Sequence, residues 1–362
     1  MAHMTKCQRT QFRGTYMDRR RFLATSAGAL GAAAIGQGIA LGSATPAAAD
    51  DGRLADWFQK GVTERGGSPW TDEAQGITSD GKNGYRWVTT NADADLSYKG
   101  IWRLNGEYTP DKSLIWNESW WPDGNTNHHI GAPQHDLYHG NIWVPIEHGP
   151  QPRVWCVPEG LGSKGNIYNL GHPSDSWHQN TFAWCSPDQT RSSAPIRTTQ
   201  GGGGLLYTSQ SSDHIIYGYK MIPGDVLHAP YMKIARTSRL PHSIDGIAGG
   251  FVMEGRLYLS IEPEDGSCEV RCYRFGRRNT SGVEDLEPMT YEGTYVVPDT
   301  GDGLFGNPHE AEGLCYDPKW WGTGDTTQVS VLILDQHAIG DDSISIRHLD
   351  MPHEVKPGPV IF

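Results

Sequence analysis

Towards its C-terminal end the chain reads His309-Glu310-Ala311-Glu312-Gly313-Leu314-Cys315-Tyr316-Asp317. An imidazole and two carboxylates within four residues are groups that move protons in general acid–base catalysis, and oxygen and nitrogen donors of this kind also ligate divalent cations. The string is not a zincin helix, because Gly313 stands where the second His of H-E-x-x-H belongs. Part of it recurs 237 residues earlier as Glu73-Ala74-Gln75-Gly76-Ile77-Thr78-Ser79-Asp80, an E-A-x-G-[IL]-x-x-D echo. Glu310, Ala311, Gly313 and Asp317 therefore belong at least partly to a repeated template, whereas His309 and Glu312 are particular to this copy.

A template recurring at long range calls for a search for repeats. After Lys60 no long 3.6-residue periodicity appears, and 45 Gly and 23 Pro separate many short β-branched and aromatic runs, as in an all-β chain. One strand type recurs five times, starting at Tyr85, Asn141, Leu205, Arg256 and Val329, with spacings of 56, 64, 51 and 73 residues. Second strands follow at Gly100, Arg153, Ile215, Cys268 and Ser343, and third candidates at Ser113, Ile167, Met232 and Met289. Four-stranded units repeated five times predict a β-propeller with five blades of four antiparallel strands, one domain over residues 50–362. A six-bladed ring, with a blade hidden in the longest gap, and a β-sandwich are the other architectures. The last blade needs an outer strand from either the Trp57-Phe58 stretch or the segment 356–362.

The segment before each recurring strand is expected to be innermost, where backbones crowd the axis and glycine is needed. Those segments are Glu73–Asp80, His128–Gly131, Trp177–Asn180, Ile244–Gly250 and Glu310–Asp317. Their polar residues form a ring at the mouth of a central channel. His129, His178, His309, Glu310 and Glu312 are the candidate catalytic groups, with Gln75, Gln179 and Asp245 as substrate contacts. His129, His178, His309 and Glu312 are also the candidate ligands for Ca2+ or a transition metal held in the channel. The bland alternative is that these groups hydrogen-bond neighbouring blades and structural water.

Thirteen tryptophans give a second signal. Trp87, Trp102, Trp143 and Trp155 lie within strands and are expected to pack, while Trp120, Trp121, Trp320 and Trp321 are candidate sugar-stacking platforms. No nucleophile elbow, phosphate-binding P-loop or EF-hand loop is present. The acidic turns Asp299–Gly303 and Asp341-Asp342 could hold a cation, but exposed acidic turns are far commoner.

Residues 1–49 read as an address, with Met1-Ala2-His3 as a cloning remnant. Asp18-Arg19-Arg20-Arg21-Phe22-Leu23 precedes an apolar Ala/Gly run that ends at Pro46-Ala47-Ala48-Ala49. The arrangement resembles the bacterial Tat export signal, which implies cleavage near Ala49 and a soluble secreted product. The leader holds six of the 30 Lys and Arg and one of the 42 acids, leaving 24 bases against 41 acids, a net charge of −17. Such a surface disfavours nucleic acid and anionic lipid, and the apolar run is too short and Gly-rich to insert in a membrane. Five cysteines remain, an odd number without zinc-knuckle spacing. Cys268 and Cys272 are four apart in a predicted strand, so a disulfide between them requires a bend.

Over most of its mature length the chain resembles secreted bacterial β-propellers in its blade pattern. Five-bladed proteins of that architecture include arabinanase-like and levansucrase-like glycosidases, tachylectin-type lectins and glutaminyl cyclases. The glycosidases place separate carboxylates at the centre, and by that resemblance Glu73, Asp245, Glu310 and Glu312 could serve so. Lectin-like propellers repeat near-identical binding residues in every blade, whereas this ring is asymmetric. The expectation is a secreted hydrolase or lyase acting on an extracellular carbohydrate or related small-molecule or glycan substrate, the alternative a non-catalytic glycan- or partner-binding propeller.

Overall fold

The computed structural model describes residues 54–81, 83–91, 98–120, 129–137, 139–147, 152–171, 183–189, 196, 203–210, 213–226, 228–263, 267–276, 286–298, 309–317, 328–335 and 342–351. β1 (Phe58–Gly66) comes first in the chain but belongs to the last sheet. The first blade is β2 (Ala74–Ser79), β3 (Arg86–Thr90), β4 (Gly100–Leu104) and β5 (Pro110–Ile115), each paired antiparallel with the next. The second holds an innermost pair of short strands, β6 (His129–Ile130) and β7 (Gln134–His135), then β8 (Asn141–Glu147), β9 (Arg153–Pro158) and β10 (Asn166–Asn169). The third is β11 (Ser186–Pro187), β12 (Leu206–Thr208), β13 (Asp213–Ile222) and β14 (Tyr231–Ile244). The fourth is β15 (Ile247–Met253), β16 (Arg256–Ile261), β17 (Cys268–Arg274) and β19 (Thr290–Val297); the short β18 (Glu287–Pro288) lies parallel to β14 of the third blade. The fifth runs β20 (Glu310–Tyr316), β21 (Gln328–Asp335) and β22 (Ser343–Asp350), and β1 completes it.

The outer strand missing from the last blade thus comes from the N-terminal side, in register from Phe58↔Asp350 to Gly66↔Ser343. β1 is an exposed edge strand of mixed polarity, FQKGVTERG, which is why no apolar alternation announces it. Its approach is anchored by buried Leu54 and Trp57, the indole stacking on Tyr258 at 5.7 Å and meeting Tyr295. Burying such a ring is worth about 2–3 kcal/mol.

Innermost strands run parallel to one another around the axis, as the bridges Ala132↔Trp184 and Asp188↔Val252 record. They meet backbone to backbone. A Cβ built on Gly313 would lie 2.6 Å from Gly76 Cα, and one on Gly249 would lie 2.7 Å from Gly313 Cα, so only glycine fits where these strands touch. Second strands carry a buried aromatic at one register level: Trp87 opposite Thr78, Trp143 opposite Gln134, Tyr207 opposite Ser186 and Tyr258 opposite Phe251. In the fifth blade that level holds Ser330, opposite Cys315. Trp87, Trp143 and Trp155 are buried and Trp102 half-buried between blades, as their place in strands implies.

In the third blade the innermost described strand is β11, within Ala183–Asp188, where Ser186 and Pro187 pair with Tyr207 and Leu206; the expected segment Trp177–Asn180 lies outside the described residues. The five described cysteines are all buried and reduced. Cys268 and Cys272 share β17, which pairs with β19 without a register break between them, so the strand keeps them beyond disulfide reach.

Candidate functional site

The innermost strands give the ring two chemically different faces: a front face where they begin and a rear face where they end. Three of them bulge by one residue just before the contact glycine, between Ala74 and Gly76, Ile247 and Gly249, and Ala311 and Gly313. A bulge re-aims the extra side chain. The extra residues are Gln75, Ala248 and Glu312, and Gln75 and Glu312, both 5% exposed, sit on neighbouring strands of the first and fifth blades. At the equivalent level stand Gly131 in the second blade and Ala183 in the third, so two polar side chains face three small residues.

Above this level, on the front face, His309 lies at the start of β20 with its Nε2 4.0 Å from Asp335 Oδ1 at the end of β21. That is long for a hydrogen bond but within the reach from which ligand-free acid–base pairs tighten. The imidazole is about one-fifth exposed, and its buried Nδ1 has no hydrogen-bond partner among the described residues. Glu310, half-buried, follows directly and pairs through its backbone with Leu334. His129 opens the second blade beside Ile130, whose N–H and carbonyl are both engaged by the Asn91 side chain at 3.0 Å. Asp245 is exposed in the tight turn from β14 to β15.

Between His309 and His129 in ring order stands Glu73, at the start of the first blade, with φ of 49°. A non-glycine residue in the left-handed region costs roughly 1–3 kcal/mol and needs surrounding support. Here Asp342 Oδ2 accepts from Glu73 N at 3.2 Å, Asn91 N donates to its carbonyl at 3.0 Å, and Gln75 Nε2 donates to the same carbonyl at 3.3 Å. Asp342, an acidic-turn cation candidate in the sequence, is a buried anchor for Glu73.

The rear face is built from the same residue types with their partners filled in. Four of the five innermost strands end in aspartate: Asp80, Asp136, Asp188 and Asp317, with Met253 in the fourth blade. Asp80 accepts from Asn83 N and Gly84 N, and Asp136 engages His139 Nδ1 at 2.8 Å. Asp317 accepts from Ser79 Oγ at 2.8 Å and from Arg86 Nε and NH2 at 3.2 and 3.0 Å. His135 stacks on Trp87 at 4.9 Å and holds Glu159 Oε2 at 2.9 Å.

The structure therefore sets Gln75 and Glu312 at the same level of neighbouring innermost strands and places His309, Glu310, His129 and Asp245 on the face above. His178, Gln179, Trp121 and Trp320 lie outside the described residues. Trp120 packs half-buried against Trp116 and Trp155, at 5.9 and 5.8 Å, which makes it an inter-blade residue at least as much as a platform. Sequence reasoning missed Asp335, Asn91 and Asp342 as site-building residues. Asp335 had a signal, as the carboxylate that ends the strand beside His309. Among the described residues no group of three or more His, Cys, Asp or Glu is placed to hold a metal ion.

Five antiparallel sheets around one axis, the last shared between the first and last strands, define a five-bladed β-propeller. No known family matches the chain, and no curated protein matches it. Among solved structures it is similar to the tail fiber of Staphylococcus aureus phage P68, at 13% identity and a TM-score of 0.43, covering 80% of this chain and 52% of that one. It is also similar to a nidogen/laminin complex chain, at 13% identity and TM-score 0.32, covering 56% of this chain and 59% of that one. A third is Chaetomium thermophilum Sqt1 bound to the N-terminus of ribosomal protein L10, at 13% identity and 0.28, covering 57% and 45%. The chain thus spans about half the length of these structures.

Proposed function

We propose that the protein is an enzyme exported by a Tat-type signal, with a single site on the front face and at the axis. It acts there on a carbohydrate or related extracellular substrate by hydrolysis or elimination. The observation that carries this reading is the His309–Asp335 pair beside Glu310 and above Glu312. A carboxylate next to an imidazole orients the ring, and that orientation supports a proton-transfer role for His309 towards a bound substrate. Glu312, near the axis, supplies a second acid or base at a different depth, as bond cleavage with separate proton donor and acceptor requires. His129 and Asp245, at the second-blade edge and in the β14–β15 turn, are proposed substrate contacts, and the asymmetry of the ring fits one site rather than five.

The test is incubation of the full chain with a panel of extracellular polysaccharides, reading new reducing ends for hydrolysis and unsaturated sugar absorbance for elimination. His309→Ala and Glu312→Gln each lower turnover about 10²–10⁴-fold with unchanged melting temperature. Glycan binding without turnover by the unsubstituted protein replaces the enzyme with the binding-module reading, and full turnover in both variants removes the site from the front face.

A further inference from the structure

The innermost strand of the second blade is broken between β6 and β7, at Gly131-Ala132-Pro133. Neither Pro133 nor Pro145 on β8 has an N–H for the ladder, so the gap is built into the sequence. Ala132 N donates instead to Ala183 O of the third blade at 2.9 Å. The break carries this segment inwards. A Cβ on Gly76 of the first blade would lie 2.7 Å from the Ala132 methyl, and one on Gly313 of the fifth would lie 3.5 Å from it. Two residues on, the Gln134 side chain, 2% exposed, donates through Nε2 to Leu314 O of the fifth blade. The second and fifth blades both neighbour the first in the ring, so this bond runs across the inside of the first-blade strand.

Behind Ala132, side chains stitch the innermost strands to one another. His135 N donates to Thr78 Oγ1 of the first blade at 2.9 Å. Gln189 of the third blade accepts from Leu137 N at 3.2 Å and donates to His135 O. Val252 N of the fourth donates to Ser186 Oγ of the third at 3.1 Å, and Ser79 Oγ of the first donates to Asp317 of the fifth at 2.8 Å. The fourth and fifth strands meet through backbone, where a Cβ on Gly249 would lie 2.5 Å from Leu314 N. Ala132 and Gln134, backed by this stitching, lie across the axis as a floor. Along β20 the order from rim to floor is His309, Glu312, Leu314.

We propose, on the enzyme reading given above, that the front-face site is a blind well floored by Ala132 and Gln134, and that its substrate is the end of a glycan chain. For His309 at the rim and Glu312 just above the floor to serve one bond, that bond must enter the well. Five strands at about 4.8 Å spacing enclose a ring about 8 Å across between backbones, too narrow for a polysaccharide to enter and turn back. An open channel would let a chain thread past Glu312, and the floor removes that route. Only a terminus reaches Glu312, and the product leaves through the front. Hydrolysis there breaks the terminal glycosidic C–O bond, one water giving its OH to the anomeric carbon and its H to the departing oxygen. Elimination takes a C–H proton, breaks the adjacent C–O bond, leaves a C=C bond and delivers a proton to the departing oxygen.

The experiment gives the full chain each polysaccharide of the panel, intact and nicked to shorter chains at equal mass. Where nicking raises the number of ends about tenfold, the initial rate is expected to rise about tenfold, because ends are the substrate. Short products should accumulate from the outset with little loss of viscosity. An early collapse of viscosity with a rate indifferent to nicking overturns the end-on mode and leaves the enzyme reading standing. Binding without turnover removes the enzyme reading, and the end-on mode is then read from binding: a rise with chain ends keeps it, and equal binding per unit mass overturns it. The floor is decided without any glycan, by side-chain amide NMR of the unsubstituted protein. Gln134 Nε2 protons are expected to be protected from exchange, and exchange as fast as at a surface glutamine overturns the blind well whatever the panel returns.

Discussion

Glu73–Asp80 and Glu310–Asp317 share a template and lie side by side, Gly76 against Gly313, yet their polar residues are put to different uses. Glu73 is a left-handed corner fixed by Asp342, whereas Glu310 is regular strand following a histidine beside Asp335. The bulge residue is an amide in one copy and a carboxylate in the other. Asp80 closes a local turn, while Asp317 reaches from the fifth blade to Arg86 of the first. A repeated motif thus says where a residue sits, and its partners say what it does.

That contrast can be broken at the aspartates first. Asp317→Ala strands the Arg86 guanidinium, whose side chain is 3% exposed, and is expected to cost about 3–5 kcal/mol in denaturant melts, against about 1 kcal/mol for Asp80→Ala. Equal losses would mean that the two aspartates do the same job after all. Gly313→Ala is next, at about 1–3 kcal/mol, because the new methyl meets the Gly76 backbone.

Making the copies more alike sharpens the comparison. Gln75→Glu adds a second buried carboxylate on the strand beside Glu312 and is expected to cost about 1 kcal/mol at neutral pH. Like-charge crowding raises the folded-state acid pKa, so that loss should shrink as pH falls and grow as it rises, read by melts at several pH values. The smallest effect is chemical: Cys315, where the first copy has Thr78, has its thiol pushed up by burial, as do Cys185 and Cys156, the last to about 12. Alkylation of native protein should proceed no faster than global unfolding; faster labelling of Cys315 would place it in an accessible channel.

Five blades were readable because their second strands repeat an aromatic and β-branched run, and the front-face acids and histidines because they flank those runs. Two elements were less so: β1, which the sequence offered only as one of two candidates for the closing strand, and the third innermost strand. β1 is a solvated edge whose polar sequence resembles a loop until β22 is beside it. The third innermost strand lacks the glycine mark, since Trp184 stands where Gly76, Gly249 and Gly313 stand elsewhere. Its indole is accommodated by Gly250 of the next blade, where an added Cβ would lie 3.0 Å from the ring. The Gly249-Gly250 doublet was therefore the available clue, and it sat one blade away from the strand it explained. Asp335 escaped because the signal it had, a carboxylate at the end of a predicted strand, gains meaning only from His309 across the strand pair.

Thr63 and His348 touch across 285 residues of chain. During synthesis β1 emerges first and has no partner until nearly everything else has been made, so ring closure is among the last contacts to form and carries a large loop-closure entropy. A permuted chain, with β1 moved to follow β22 and new ends in the β14–β15 turn, would turn that late encounter into a local hairpin. It should reach the same ring markedly faster.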